Sequence, residues 1–279
     1  MAVTQLSTVA ETLRQKQAAP GTPPVRPSSS TLAACGAECP ICGGVGYVRI
    51  APDANPGEPN FGKLAACPNA QRLELQEKLT HGVIDPRLGM TRGELSLTWE
   101  VIKDGLSDGH KAREAVRRAF DLGHGMVFLY GASGQAKTLA LKIAVATALR
   151  EGLRAAYANM LTVLDDIRRA FDERENKQTE LVRRMEWWIG LDILAIDELD
   201  KTNSTDWAKE RMFQLIDARY QRAVRQEALT IIAANYDGTD ELSPYLRSRI
   251  EDNRFMENGM VVRLDGPDGR KAVPSGWMY

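Results

Sequence analysis

The sequence predicts an α/β fold, a parallel sheet held between helices, preceded by a small cysteine-bearing module. Three observations lead there. From Leu95 onward, short apolar runs alternate with segments of helical spacing, the pattern of a parallel sheet covered by helices. One apolar run, Met126–Tyr130, passes directly into a glycine-containing loop ending in Lys137-Thr138 and then into an apolar helix. All four cysteines, Cys35, Cys39, Cys42 and Cys67, fall in the first quarter of the 279 residues.

The elements follow in order. Val3–Gln17 has the pattern of a short helix, and the stretch after it is rich in Ala, Pro and Ser and cannot build a core, so residues 1–34 read as a flexible arm. Residues 35–85 form the cysteine module, ending in a polar helix from Ala70 to about Thr80. Residues 86–279 form the main domain, with the boundary near Asp85-Pro86. Within it Met126–Tyr130, Arg154–Ala158, Asp192–Ile196, Ala228–Ala233 and Met260–Leu264 are expected strands. Lys137–Arg150, Leu161–Phe171, Thr179–Ile189, Thr205–Arg225 and Ser243–Glu251 are expected helices. No internal repeat is present.

Composition excludes several classes. With 43% hydrophobic residues the chain can bury one good core and a small second module. No run approaches the roughly 18 to 20 apolar residues of a membrane helix, and the N-terminus lacks a secretion pattern, so a cytoplasmic protein without membrane partners is expected. The 36 basic residues balance 37 acidic ones, so any contact with nucleic acid must be local.

The loop Gly131, Ala132, Ser133, Gly134, Gln135, Ala136, Lys137 and Thr138 has the form of a phosphate-binding loop. Its backbone N–H groups and the following helix N-terminus would face the phosphates of ATP. Lys137 would neutralise their outer charge, and the Thr138 hydroxyl would ligate Mg2+. Ala136 stands where a glycine usually precedes the lysine, and its methyl is expected to crowd the loop and weaken hydrolysis more than binding. About sixty residues on, Leu191–Asp200 reads as a buried strand ending in Asp197 and Glu198, a Walker B pattern. Asp197 would hold the magnesium, directly or through water, and Glu198 would act as general base toward the attacking water. Asn235, closing the apolar run Ala228–Ala234, can orient that water or cap an Asx turn.

Cys35-x3-Cys39-x2-Cys42 and Cys67 supply four thiolates, the number that closes a tetrahedral structural Zn2+ site and orders a segment too small for a core of its own. Glycines after Cys42 would let backbone N–H groups turn toward the sulfurs. The fourth ligand is open between Cys35 and His81.

Taken together, Cys39–Tyr47, the loop ending Ala136-Lys137-Thr138, Ile196–Lys201, Thr205–Ala208, Gln214–Tyr220 and Ala233–Asn235 resemble the DnaC/IstB branch of AAA+ ATPases over roughly residues 35–272. The resemblance implies a P-loop AAA+ domain behind a zinc-binding, partner-docking module. It matches Asn235 to sensor 1 and Arg249, in Tyr245–Ile250, to an arginine finger acting on a neighbouring subunit, with Arg247 as runner-up. It matches Arg270 to the sensor 2 arginine, although Gly269 replaces the usual aromatic residue. A finger acting across a boundary implies head-to-tail self-assembly into a ring or helical filament. The resemblance further implies single-stranded DNA as a partner, with Arg168, Arg169, Arg174, Lys177, Arg183 and Arg184 in the region that would meet it, and a replicative DNA helicase docked by the front module. Those cations alternate with Asp172, Glu173, Glu175, Glu180 and Glu186, as on a solvated helix face. Three functions follow: a helicase loader in DNA replication, a transposition ATPase that binds target DNA and recruits a transposase, or a nucleotide-responsive scaffold with little hydrolysis.

Overall fold

The computed structural model describes residues 39–49, 52–53, 55–56, 61–62, 64–67, 69–70, 85–105, 107–172, 177–201, 205–256 and 260–270. The expected arm at 1–34, the polar helix beyond Ala70, Cys35, His81, Glu173, Arg174 and Glu175 lie outside the described residues. Contacts part the chain into two units, residues 1–84 with 149–153 and residues 85–148 with 154–279.

In the first unit, β1 (Tyr47–Arg49) and β2 (Leu64–Ala66) pair antiparallel, Tyr47 opposite Ala66 and Arg49 opposite Leu64. The hairpin is short because its purpose is local: β1 follows the Cys39–Cys42 turn and β2 delivers Cys67. Cys39, Cys67 and Ala70 form its buried centre, with Cys42 and Val48 against it.

The second unit is built on a parallel sheet of β3 (Gly125–Gly131), β4 (Ala155–Asn159), β5 (Ile193–Asp197), β6 (Leu229–Ala234) and β7 (Val261–Leu264), in the order β4-β5-β6-β3-β7. Every residue of β5 and β6 is buried, so these strands read as unbroken apolar runs. Strands β4, β5, β6 and β7 each start one residue later than their apolar runs suggest, while β3 starts one residue earlier and ends one later. The polar residue closing a run can still belong to the ladder, as Asn159 opposite Asp197 shows.

Around the sheet lie α1 (Gly109–Leu122), α2 (Lys137–Arg150), α3 (Met160–Arg168), α4 (Lys177–Gly190), α5 (Asp206–Val224), α6 (Pro244–Ile250) and the single turn α7 (Asn253–Met256). Helix α2 follows the phosphate loop and buries Ala140, Leu141, Ile143, Ala144, Val145 and Ala148, residues on every side of its axis, as an enclosed helix must. Three starts are set by side-chain caps: Asn159 accepts from Thr162 N, Thr205 from Ala208 N and Ser243 from Leu246 N. The expected helix Leu161–Phe171 begins earlier because Asn159 caps it, and past Arg168 it tightens into a 3-10 turn, Arg169–Asp172. Helix α1 is absent from the expected elements. Its buried face, Ala112, Ala115, Val116, Ala119 and Phe120, has helical spacing but is mostly alanine, and Gly123 ends it in the left-handed region.

At the N-terminal ends of β5 and β6 a fully buried arginine, Arg219 of α5, holds the layers together. Its Nε donates to Thr230 Oγ1 at 2.9 Å, Nη1 to the carbonyls of Ile189 (2.9 Å) and Leu191, and Nη2 to Leu229 O at 2.6 Å. Carbonyls left over at the end of α4 thereby find donors where water does not reach. Burial pulls the Arg219 pKa down from its ordinary value, with the neighbouring Arg222 adding to the effect. Arg219→Ala should cost about 3 to 5 kcal/mol in urea unfolding, since it takes the side-chain donor from Thr230 and Leu229, leaves Ile189 and Leu191 to Arg222 alone, and opens a cavity. A loss within the range of an exposed substitution, about 0.5 kcal/mol, would show the network to be dispensable.

Candidate nucleotide-binding site

Strand β6 lies between β3 and β5, so the C-terminal ends of three neighbouring strands present the loop after Gly131, the Asp197-Glu198 pair and Asn235 side by side. In an open parallel sheet this end is where ligands bind. Gly131 (φ 123°) passes so close to β7 that a Cβ there would sit 2.2 Å from Leu264 O, which only glycine permits. Ala136 adopts φ 57°, the left-handed region that a glycine at this point would enter without strain.

Lys137 is buried, and its ammonium spans the loop, donating to Gly131 O at 2.6 Å and Ala132 O at 2.7 Å. Burial draws its pKa down, against the carboxylates of Asp197 and Asp200. The Thr138 hydroxyl donates to Asp197 Oδ2 at 2.6 Å, and the other oxygen of Asp197 accepts from Glu198 N at 2.9 Å. Lys137, Thr138, Asp197 and Glu198, fifty-nine or more residues apart across the two motifs, thus converge. Glu198 has φ 53° and pairs with Lys201, a partner it must exchange to act as a base.

Gln135 does something the sequence did not suggest. Its side chain is only 1% exposed; Oε1 accepts from Asp108 N at 2.9 Å, and Nε2 donates to Gly266 O at 2.5 Å and Pro267 O at 3.0 Å. Asp108 accepts in turn from Asp265 N (2.9 Å) and Gly266 N (3.1 Å). Gly269 N donates to Gly134 O at 3.1 Å, so residues 265–270 lie against the loop. Gln135 therefore anchors the loop to its surroundings, leaving its backbone for phosphate. Arg270 rides on this segment, paired with Asp268, and its charge lies near enough to Lys137 to lower that group's pKa.

Asn235 is exposed, and its backbone N–H donates to Asp200 Oδ1 at 2.9 Å. Arg249 is not gathered into the site. Its Nε donates to Asp217 Oδ1 at 3.2 Å, and its guanidinium lies 4.7 Å from the ring centre of Tyr220 and 4.6 Å from that of Tyr245. Two aromatic faces and a carboxylate of its own chain thus hold it. Arg247 pairs with Glu251 one turn on. Among the basic residues after β4, Arg183 and Arg184 are engaged by Glu180, and Arg184 also by Asp166. Arg168 lies 4.8 Å over the Trp207 ring, beside exposed Arg169 and Phe171.

In the first unit the sulfurs of Cys39, Cys42 and Cys67 lie within 4.8 Å of one another. Gly46 N donates to Cys42 Sγ at 3.3 Å and Asn69 Nδ2 to Cys39 Sγ at 3.4 Å. The backbone N–H of Cys42, then that of Ile41, draws the Cys39 thiol down to about 6, toward the thiolate a metal requires. Three convergent thiols with N–H groups aimed at them suit a soft divalent cation such as zinc.

A strand, a glycine-containing loop with Lys-Thr, and an acidic pair two strands away define a P-loop nucleotide-binding domain. Residues 127–258 match the family described as ATPase family associated with various cellular activities (AAA), and this part of the chain is an AAA ATPase domain. No curated protein matches the sequence significantly. Among solved structures, AMPPCP-bound DnaA from Aquifex aeolicus is similar at 22% identity and a TM-score of 0.49, over 61% of this chain and 50% of that one. A DnaC helicase loader is similar at 18% identity and 0.36, over 70% and 87%, and DnaI at 16% and 0.43, over 65% and 94%. The chain spans about half the length of a DNA replication initiation factor and of the two AMPPCP-bound DnaA structures that it resembles. Likeness this distant says nothing of activity or partner. Among the described residues no helix is long and apolar enough to cross a membrane.

Ala136→Gly removes a left-handed alanine that costs roughly 1 kcal/mol, partly offset by the greater freedom of glycine when unfolded. The variant should be equally or slightly more stable in chemical denaturation and should turn over ATP at an equal or higher rate. A large fall in turnover would show that the methyl is fitted to the loop.

Proposed function

We propose that this protein is an ATP-dependent helicase loader acting in DNA replication, assembling head-to-tail on single-stranded DNA and docking a replicative helicase through its cysteine module. The observation that carries the reading is the pairing of an AAA domain with a convergent three-thiol cluster ahead of it in the chain, an arrangement with a chemical half and a docking half.

In the ATPase half, Lys137 offsets the outer phosphate charge while Gly131, Ala132, Ser133, Gly134, Gln135 and Ala136 turn backbone N–H groups toward it. Thr138 and Asp197 would hold Mg2+, which would supply charge neutralisation to the phosphates. Glu198 takes the proton of the attacking water, Asn235 orients that water, and Arg270 adds charge from the flanking segment. Arg249, or its neighbour Arg247, acts on the adjacent subunit's nucleotide. Support for a DNA contact comes from Arg168, Arg169, Phe171 and Trp207, cations beside aromatic rings, the combination that grips a sugar-phosphate chain and stacks on its bases. In the docking half, Cys39, Cys42 and Cys67 hold Zn2+ with Cys35 or His81 as the fourth ligand.

Capture from the native host tests the reading. Glu198→Gln should bind a fluorescent ATP analogue within about two-fold of wild type while losing at least about 100-fold in turnover, and Lys137→Ala should bind about ten-fold or more weakly. With ATP present, Glu198→Gln should retain a ring-shaped replicative helicase that Lys137→Ala does not. Recovery of a transposase would instead establish the transposition ATPase, and ATP binding with no turnover in wild type would point to a scaffold.

Elemental analysis of protein never exposed to chelator should find one zinc per chain. Cys39→Ser should release it and weaken helicase capture while leaving nucleotide affinity within about two-fold, since the units are separate. Less than half a zinc per chain would refute the assignment.

A further inference from the structure

Asp197 has a partner that neither sequence motif contains. The side chains of Tyr157 and Asn159 leave β4 on the same face, opposite Ala195 and Asp197 of β5, so Tyr157 is the diagonal neighbour of Asp197. A diagonal of about 7 to 8 Å is within reach of a tyrosine hydroxyl. Tyr157 OH donates to Asp197 Oδ2 at 3.0 Å, joining Thr138 on the same oxygen, while Glu198 N occupies Oδ1. Three of the carboxylate's acceptor positions are thereby engaged, two on Oδ2 and one on Oδ1, which resists its rotation and leaves a lone pair free on Oδ1.

Tyr157 is itself held from behind. Lys142 of α2 places its ammonium 4.9 Å from the centre of the Tyr157 ring, and Glu94 pairs with Lys142. Glu94 is fixed by a reciprocal pair with Thr91: its carboxylate accepts from Thr91 N at 2.8 Å and its own N–H donates to Thr91 Oγ1 at 3.3 Å. The row Thr91, Glu94, Lys142, Tyr157, Asp197 runs without a gap from the segment preceding α1 to the acidic strand end. A tyrosine hydroxyl is protonated at neutral pH and so serves as the donor in this contact.

We propose that Tyr157 is a positioning residue that fixes the rotamer of Asp197 for magnesium, and that Lys142 and Glu94 position Tyr157. The inference rests on reading Thr138 and Asp197 as the magnesium site. Partners of metal-ligating carboxylates commonly govern metal affinity by about ten-fold or more, although they never touch the ion.

The test is titration of the full-length protein with a fluorescent ATP analogue, in EDTA and at graded free Mg2+, with thermal melting alongside. Tyr157→Phe keeps the ring, its packing and the Lys142 contact, and removes one oxygen. Its affinity in EDTA should stay within about two-fold of wild type, and the free Mg2+ needed for half of the Mg2+-dependent gain should rise about ten-fold. Lys142→Met, which leaves the hydroxyl in place, should shift the same midpoint in the same direction by less. A Tyr157→Phe midpoint equal to wild type overturns the proposal, as does a parallel loss of affinity in EDTA with a lowered melting temperature, which marks a structural role only. An unshifted Lys142→Met overturns the outer half. Failure of wild type to respond to Mg2+ at all would refute the reading of Thr138 and Asp197 as a magnesium site, a result distinct from the others.

Discussion

The Thr138 hydroxyl and the Asp197 carboxylate meet at 2.6 Å across the end of a strand to which neither belongs. Strands in a sheet are spaced about 4.8 Å apart, so with β6 between them the ends of β3 and β5 lie roughly 10 Å from each other. Only side chains reaching inward from both sides close that gap, and they do so only if loop, strand and helix hold their places to within a fraction of an ångström. The other features of the domain serve this contact. Arg219 clamps the far ends of β5 and β6 to the end of α4, Gln135 and Asp108 fasten the loop to residues 265–267, and Tyr157 holds the aspartate from β4. Rigid strand ends with anchored loops are what a preorganised charge-stabilising site requires.

Strain is concentrated at the same place. Of three non-glycine residues with positive φ among those described, Ala136 lies in the phosphate loop and Glu198 beside the acidic strand end, while Gln226 turns the chain between α5 and β6 far from the site. Left-handed backbone costs an alanine or glutamate roughly 1 kcal/mol or more. At Glu198 it lifts the side chain off the strand axis and out of the ladder that Asp197 still shares. At Ala136 it gives the loop the path a glycine would take, and the methyl lies where Gly109, at the start of α1, offers no side chain to meet it.

The nucleotide chemistry was legible because its residues sit in two contiguous runs, each a strand followed by functional side chains, so that order along the chain reports position in space. Residues whose roles depend on partners far away in sequence were not. Gln135 has the look of one more loop residue until Gly266 and Pro267, 131 and 132 residues on, are seen to accept its amide hydrogens. Tyr157 reads as an ordinary aromatic in a strand, and only the register of β4 with β5 sets it beside Asp197. Helix α1 escaped because alanine fills most of its buried face, and alanine is a faint marker of burial beside leucine or isoleucine. In the cysteine module the chain order did report geometry for three thiols, since a two-residue spacing followed by glycines forces the tight turn at Cys39–Cys42.

Arg249 shows how a residue can fit a motif in sequence and still be held by its own chain in the structure. Its place in the sequence suits a finger for the next subunit, yet in a single chain its guanidinium is enclosed by Asp217, Tyr220 and Tyr245. Two cation–π contacts and a partly exposed ion pair are together worth roughly 1 to 3 kcal/mol. That is less than a bidentate charge-assisted contact with phosphate provides in a site closed to water, and more than thermal motion overcomes for much of the time. On the proposal that Arg249 is a finger, a neighbour's nucleotide would have to draw it out of this cage. Because Asp217 and Tyr220 belong to α5 and Tyr245 to α6, that move would alter the packing between these helices, the former anchored by Arg219 at the base of the same sheet. On the same proposal, head-to-tail assembly and the packing of α5 against α6 would be linked through one exchange of partners.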